Sequence, residues 1–169
     1  MRLTAAAVAA ALALAAPAAA QSLKVTGLDG SVKSLTAADV AGLPRAKAKL
    51  TENGKRRLYE GAILSHVLRM GGLPMGQRLH GDPLRAYLVI AGADGFEAVY
   101  ALVEVDPDTH ADTVILADRV DGGPLPAKQA PWRVVSSGDR KGWRAVYAVS
   151  SIEARSASGA ATGMDHAGH

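Results

Sequence analysis

RAYLVIAGADGFEAVYALVEV, from Arg85 to Val105, is the stretch that places the rest of this chain. It holds two apolar runs, Tyr87 to Ala91 and Phe96 to Val103, separated by Ala93-Asp94-Gly95. Asp-Gly supplies the positive φ that a tight hairpin needs, so the stretch reads as a β-hairpin. Both runs are apolar at nearly every position rather than alternating. Strands of that kind are covered on both faces, so the hairpin is expected in the core of a sheet.

Shorter elements lie on either side. Leu23 to Gly27 alternates as a strand, Asp29-Gly30 is a turn, and Val32 to Leu35 returns. Thr36 is placed to cap a short helix, Ala37 to Leu43, which Pro44 ends. Arg45 to Thr51 alternates charged and small apolar residues, as a strand with one wet face does. Asn53-Gly54 turns it into Lys55 to Tyr59. The cations Lys47, Lys49, Lys55, Arg56 and Arg57 can be read as an anion-binding patch, but they fit better the solvated face of an edge hairpin, where lysine discourages further pairing. Ala62 to Met70 has the apolar spacing of a helix, closed by Gly71-Gly72. After the central hairpin come a buried strand Thr113 to Ala117, a rigid loop Asp121 to Pro126, and strands Trp132 to Val135 and Trp143 to Val149. Ile152 reads as the last core residue. The sum is an α+β domain of seven or eight short strands in mixed or antiparallel, partly barrel-like sheets, with two or three short helices.

The two ends differ from the middle. Met1-Arg2, an apolar run from Leu3 to Ala16 and Ala18-Ala19-Ala20 make a secretory signal peptide, with cleavage expected after Ala20. One arginine stands there and not a pair, so the expected route is the Sec type, with folding in the periplasm or outside the cell. Removing 20 of 169 residues leaves 149, enough for one domain, 21–155, followed by a tail, 156–169. The formal charge of +3 is no nucleic-acid footprint, and no later segment is long enough to span a membrane. The chain has no Cys, which removes thiolate catalysis, disulfides and thiolate-bound metals.

Several stretches in order resemble the molybdopterin-binding domain of the sulfite oxidase family. Tyr59-Glu60-Gly61-Ala62-Ile63-Leu64, Val67-Leu68 and Gly71-Gly72-Leu73 are similar to its aromatic-x-Gly helix segment. The hairpin with Asp94-Gly95-Phe96 follows. Then come Val114 to Ala117, Asp121-Gly122-Gly123-Pro124-Leu125-Pro126, Pro131-Trp132-Arg133-Val134-Val135, and Trp143 to Glu153. The resemblance covers Leu23 to Glu153 and implies a mixed α+β fold. It also implies a Cys ligand to molybdenum between Lys47 and Lys55, where this chain has none. The family's His-rich and Arg-rich cofactor segments are missing, and Ser136-Ser137-Gly138 stands in place of a Pro-Gly. Arg133 and Lys141 alone fall where cofactor-contacting bases are implied. No cofactor is expected from the residues themselves. Molybdopterin enters through the resemblance only.

Three readings of function follow. The first is an exported protein with this oxidoreductase-type fold, lacking a molybdenum centre, that binds a small anionic ligand or a periplasmic protein. Asp118-Arg119, Arg133, Asp139-Arg140 and Lys141 read either as structural ion pairs or, on this first reading, as the lining of an emptied cofactor pocket that takes a small anion or another ligand, with Trp132 and Trp143 beside it. The second is an oxidoreductase of the sulfite oxidase type that holds a pterin through Arg133 and Lys141. The third is a copper- or other metal-binding protein. Its ligands would be Met164, Asp165, His166 and His169 in the tail, a set of soft and imidazole donors that suits copper. His66, His80 and His110 have acidic or basic neighbours but no nucleophile or second shell that would make them catalytic.

Overall fold

The computed structural model describes residues 21–157. Local turn chemistry sets the first hairpins. β1 (Ser22–Thr26) and β2 (Val32–Thr36) pair antiparallel. Thr36 then closes a reciprocal cap on α1 (Ala37–Ala41): its hydroxyl accepts from the Asp39 amide, and the Asp39 carboxylate accepts from the Thr36 amide. β3 (Arg45–Glu52) turns through Asn53 and Gly54, with φ of 48° and 74°, into β4 (Lys55–Ile63). That left-handed pair is what a two-residue hairpin requires. α2 (Leu64–Met70) starts two residues later than its apolar spacing suggests. The reason is that Ala62 and Ile63 are still paired with Leu116 and Ile115 in the sheet.

The central hairpin is β5 (Ala86–Gly92) and β6 (Glu97–Ala101), with Leu102–Val105 forming a 3-10 turn. β7 (Val114–Val120), the two-residue β8 (Gly123–Pro124), β9 (Arg133–Ser136) and β10 (Val149–Ser156) complete ten strands. They form two sheets. The first has the order β2-β1-β10-β5-β6, with β1 and β10 parallel and the rest antiparallel. The second is antiparallel, β3-β4-β7-β8, with β9 also paired to β7.

The second sheet is buried on both faces. Along β7, Val114 and Leu116 face a large core that includes Leu23, Leu68, Leu88 and Ile152. Ile115 and Ala117 face a smaller core with Leu50, Tyr59, Val135 and Ala145. The sheet curls around this smaller core and brings β3 back beside β9. No ladder joins those two strands among the described residues, so the barrel is not closed.

Several expectations need correction. The strands among the described residues number ten rather than seven or eight, and the loop expected at Asp121 to Pro126 contains β8, paired with β7. β6 is not covered on both faces: it is an edge strand, and its burial alternates, with Ala98 and Tyr100 inside while Val99 is 56% exposed. Trp143 to Val149 is not a ladder strand. Gly142–Arg144 is a 3-10 turn, Ala148 adopts a φ of 45°, and the strand begins only at Val149. Ile152 is not the last core residue, because Ala154 is buried too. No helix among the described residues is long and apolar enough to cross a membrane. The expected signal peptide, residues 1–20, and the tail ligands Met164, Asp165, His166 and His169 lie outside the described residues.

Candidate functional site

The open seam between β3 and β9 is bridged by side chains. Arg133, the first residue of β9, shares a face with Val135, so its side chain enters the smaller core. It is 0% exposed. Glu52, the last residue of β3, follows Ala48 and Leu50 on the inward face of that strand. The two meet in a fork: Nη1 donates to Oε2 at 2.9 Å and Nη2 to Oε1 at 2.5 Å. Buried charge is tolerated only when paired in this way. The Tyr59 hydroxyl donates to Glu52 Oε2 at 2.6 Å and accepts from Arg133 Nη1 at 2.5 Å. Gln129 Oε1 accepts from the same Nη1 at 3.3 Å, and the Tyr147 hydroxyl reaches Glu52 Oε1 at 3.4 Å. The guanidinium also lies over two rings, 4.7 Å from the centre of Tyr59 and 4.5 Å from that of Tyr147.

This surrounding sets the protonation states. Burial pushes the Glu52 carboxyl up, but its bonds from Arg133 and Tyr59 outweigh that and hold it below the usual carboxylate range. Burial, reinforced by the hydrogen bond to Glu52, pushes the Tyr59 phenol well above its ordinary value. Glu52 is therefore ionised and the phenol neutral across the physiological range.

Two clefts open beside the pair. One, of about 350 Å³, includes Lys55, Arg57, Lys128 and Gln129; the other, of about 430 Å³, includes Arg140, Lys141, Gly142 and Trp143. Glu52, Asn53 and Tyr147 form a wall common to both. Arg57 is paired with Asp121 at 2.8 Å. Among the described residues Lys55, Lys128, Arg140 and Lys141 have no carboxylate within ion-pair distance. The one acid in the wall is already neutralised by Arg133, so the clefts carry a positive excess.

The residues expected to hold a cofactor are thus neighbours with different roles. Arg133 lies beneath the wall with its fork occupied. Lys141 is exposed on the rim, its Nζ 5.0 Å from the Trp143 ring. Trp132 is a core residue, whereas Trp143 is 78% exposed. The other expected ion pairs divide differently. Asp118 binds Arg45 and Arg119 donates to the Gly122 carbonyl, on the far side of β4 from the clefts. Asp139 binds Arg144, which also holds Glu104 at 2.5 Å and covers the Tyr100 ring. Burial raises the Tyr100 phenol as well. His66 is half-buried on α2, His80 is exposed, and His110 lies 3.7 Å from Asp112. Among the described residues no three His, Cys, Asp or Glu side chains are grouped to hold a metal.

On the sequence alone, Glu52, Tyr59, Lys128, Gln129 and Tyr147 are not singled out as site residues. The signal for Glu52 is period two: an acid on the inward face of an alternating strand needs a buried cation. Arg133, set in the apolar run Trp132-Arg133-Val134-Val135, carries the complementary signal.

No protein-family model and no curated protein matches the chain. Among solved structures, it superposes on the crystal structure of the sulfane dehydrogenase SoxCD from Paracoccus pantotrophus with a TM-score of 0.61 at 21% identity. The match covers 79% of this chain and 38% of that one. At this identity the likeness concerns fold: the chain has a mixed α+β fold of the sulfite oxidase type. The segment Lys47 to Lys55, where the resemblance places a thiolate, points Ala48, Leu50 and Glu52 inward, and Glu52 is bound to Arg133. These residues do not fit a thiolate-held molybdenum.

Proposed function

We propose that this chain is an exported binding module on a sulfite oxidase-type fold, without a molybdenum centre, that takes a small anionic ligand in the paired clefts around the β3–β4 turn. One observation carries the reading: four cations, Lys55, Lys128, Arg140 and Lys141, which have no acidic partner among the described residues, border two clefts whose one acid among those residues, Glu52, is neutralised from below. Concave surfaces of one sign concentrate counter-ions of the other. Exposed Trp143 adds an aromatic face at the rim, suited to the organic part of a ligand. Catalysis by a pterin held through Arg133 and Lys141 is the competing reading. It requires Glu52 to withdraw first from Arg133, whose two Nη atoms it holds, whereas anion capture by Lys55, Lys128, Arg140 and Lys141 does not.

The test is thermal melting of the full chain with phosphate or sulfate, against chloride at matched ionic strength. At ten times Kd, a ligand that binds only the folded state raises the midpoint by roughly 4 °C. Lys128→Ala/Lys141→Ala is expected to remove most of that rise. An equal rise in the double variant, or with chloride, would overturn the assignment. Co-purification of a pterin with the wild-type protein would shift it to the oxidoreductase reading.

A further inference from the structure

We propose that Glu52 is the resident occupant of an anion receptor built from Arg133, Tyr59 and Tyr147, and that an external carboxylate or oxyanion takes its place. The inference rests on the anion-binding reading of the clefts and names what lies at their base.

The receptor side of the pair is the more deeply buried and the occupant side is partly exposed. Arg133 and Tyr59 are buried, as is the neighbouring Gln129, and Tyr147 is half-buried. The guanidinium lies over the Tyr59 and Tyr147 rings, its fork engages one carboxylate, and the two phenol hydroxyls are close to the same oxygens. A planar fork of this kind recognises any carboxylate or oxyanion of the right size. Glu52, by contrast, arrives from the tip of an exposed hairpin. It is the last residue of its strand, paired with Lys55 across the Asn53-Gly54 turn. Its side chain is 20% exposed where that of Arg133 is 0%. Withdrawing it would fray the final rung of the β3–β4 ladder and leave the cores in place.

Two further observations fit an exchangeable occupant. Arg133 Nε is buried and has no acceptor, so Glu52 does not saturate the guanidinium. Gly142 closes over the pair: a Cβ there would stand 2.9 Å from Glu52 Oε1 and 3.3 Å from Arg133 Nη2. The covering layer is therefore a loop backbone next to Lys141 and Trp143, the same loop that borders one cleft. With Glu52 withdrawn, the wall between the clefts opens above Arg133. The ligand class is a small carboxylate or tetrahedral oxyanion, with room beside it for further negative charge near Lys128 and Lys141.

The test uses the full chain with Glu52→Ala and the shape-preserving Glu52→Gln, probed with formate and sulfate. Removing one partner of a buried pair is expected to lower the melting midpoint by on the order of 10 °C. Formate at millimolar concentration is expected to recover roughly half of that loss, and chloride none. Formate or sulfate should bind Glu52→Ala about tenfold or more tighter than wild type. The control is Glu52→Met/Arg133→Met, which should fold and lose the response. Equal response to formate and chloride, or an undiminished response in the control, would overturn the inference. If neither single variant folds in chloride, refolding yield in formate against chloride decides, and equal yields overturn it. Wild type that answers neither formate nor sulfate would overturn the exchange even if Glu52→Ala responds to formate, whereas a wild-type response left unchanged by Lys128→Ala/Lys141→Ala would overturn the cleft reading alone.

Discussion

Replacing Tyr59 by Phe isolates what one hydroxyl contributes to the buried pair. The ring is 2% exposed, and phenylalanine keeps both its apolar burial and its stacking on Arg133. What disappears is one bond given to Glu52 at 2.6 Å and one accepted from Arg133 at 2.5 Å. Hydrogen bonds to charged groups are worth about 1.5–3 kcal/mol each, and their loss is worst when a partner is orphaned. Neither partner is orphaned here: Nη1 keeps Glu52 and Gln129, and Oε2 keeps Arg133. The expected cost is therefore nearer one bond than two, about 2 kcal/mol, or a fall of roughly 6 °C in Tm. Circular-dichroism melting at neutral pH checks it. The pH dependence gives a second, signed check. The folded phenol is raised above its ordinary value of 10.0, so its contribution is complete below that pH and is lost as pH rises through the folded value. The gap between wild type and Tyr59→Phe must therefore narrow above about pH 10. A Tm within about 1 °C of wild type at neutral pH, or a gap that widens in alkali, would refute the account of the network.

Two other outcomes follow from named contacts. Gly61 lies where β4 shifts register against β7, and a Cβ there would clash with the Leu116 carbonyl and the Ala117 Cα, both backbone. Neither atom can rotate away, so Gly61→Ala is expected to cost about 3 kcal/mol or more and lower Tm by roughly 10 °C, read by denaturant or thermal unfolding. Glu52 has a folded pKa below its ordinary 4.5, so its stabilisation is present above that pH and is lost as pH falls through the folded value. The acid limb of the wild-type stability curve should therefore be steeper than that of Glu52→Gln, and parallel limbs would remove Glu52 from the list of acid-sensitive groups.

Much of the fold was legible because its turns are local. Asp94-Gly95, Asn53-Gly54 and Thr36 with Asp39 each specify backbone geometry within four residues, and each is found where the sequence puts it. What the sequence hid depends on sheet order. The run Phe96 to Val103 is apolar enough for a buried strand, yet β6 ends as an edge because no strand among the described residues pairs beyond it. Trp143 has the composition of a core residue. It stands in solvent because Arg144 is fixed by Asp139 and Glu104 and turns the backbone before a ladder can form.

The site shows the same division more sharply. Arg133 and Lys141 could be singled out only through a resemblance, and the resemblance assigns both to a cofactor. The partner that decides the role of Arg133 lies 81 residues away, on the opposite margin of a curled sheet. No local rule reaches across that distance, but a two-residue period does so in part. Ala48, Leu50 and Glu52 share one face, and so do Arg133 and Val135. An acid at the end of one inward row and a base at the start of another cannot both be buried alone, because isolated buried charge is too costly to keep. If the two rows face one core, the charges must meet. The resemblance looked for a thiolate between Lys47 and Lys55. The strand's own alternation points instead to a carboxylate at its tip, and that carboxylate is what Arg133 holds.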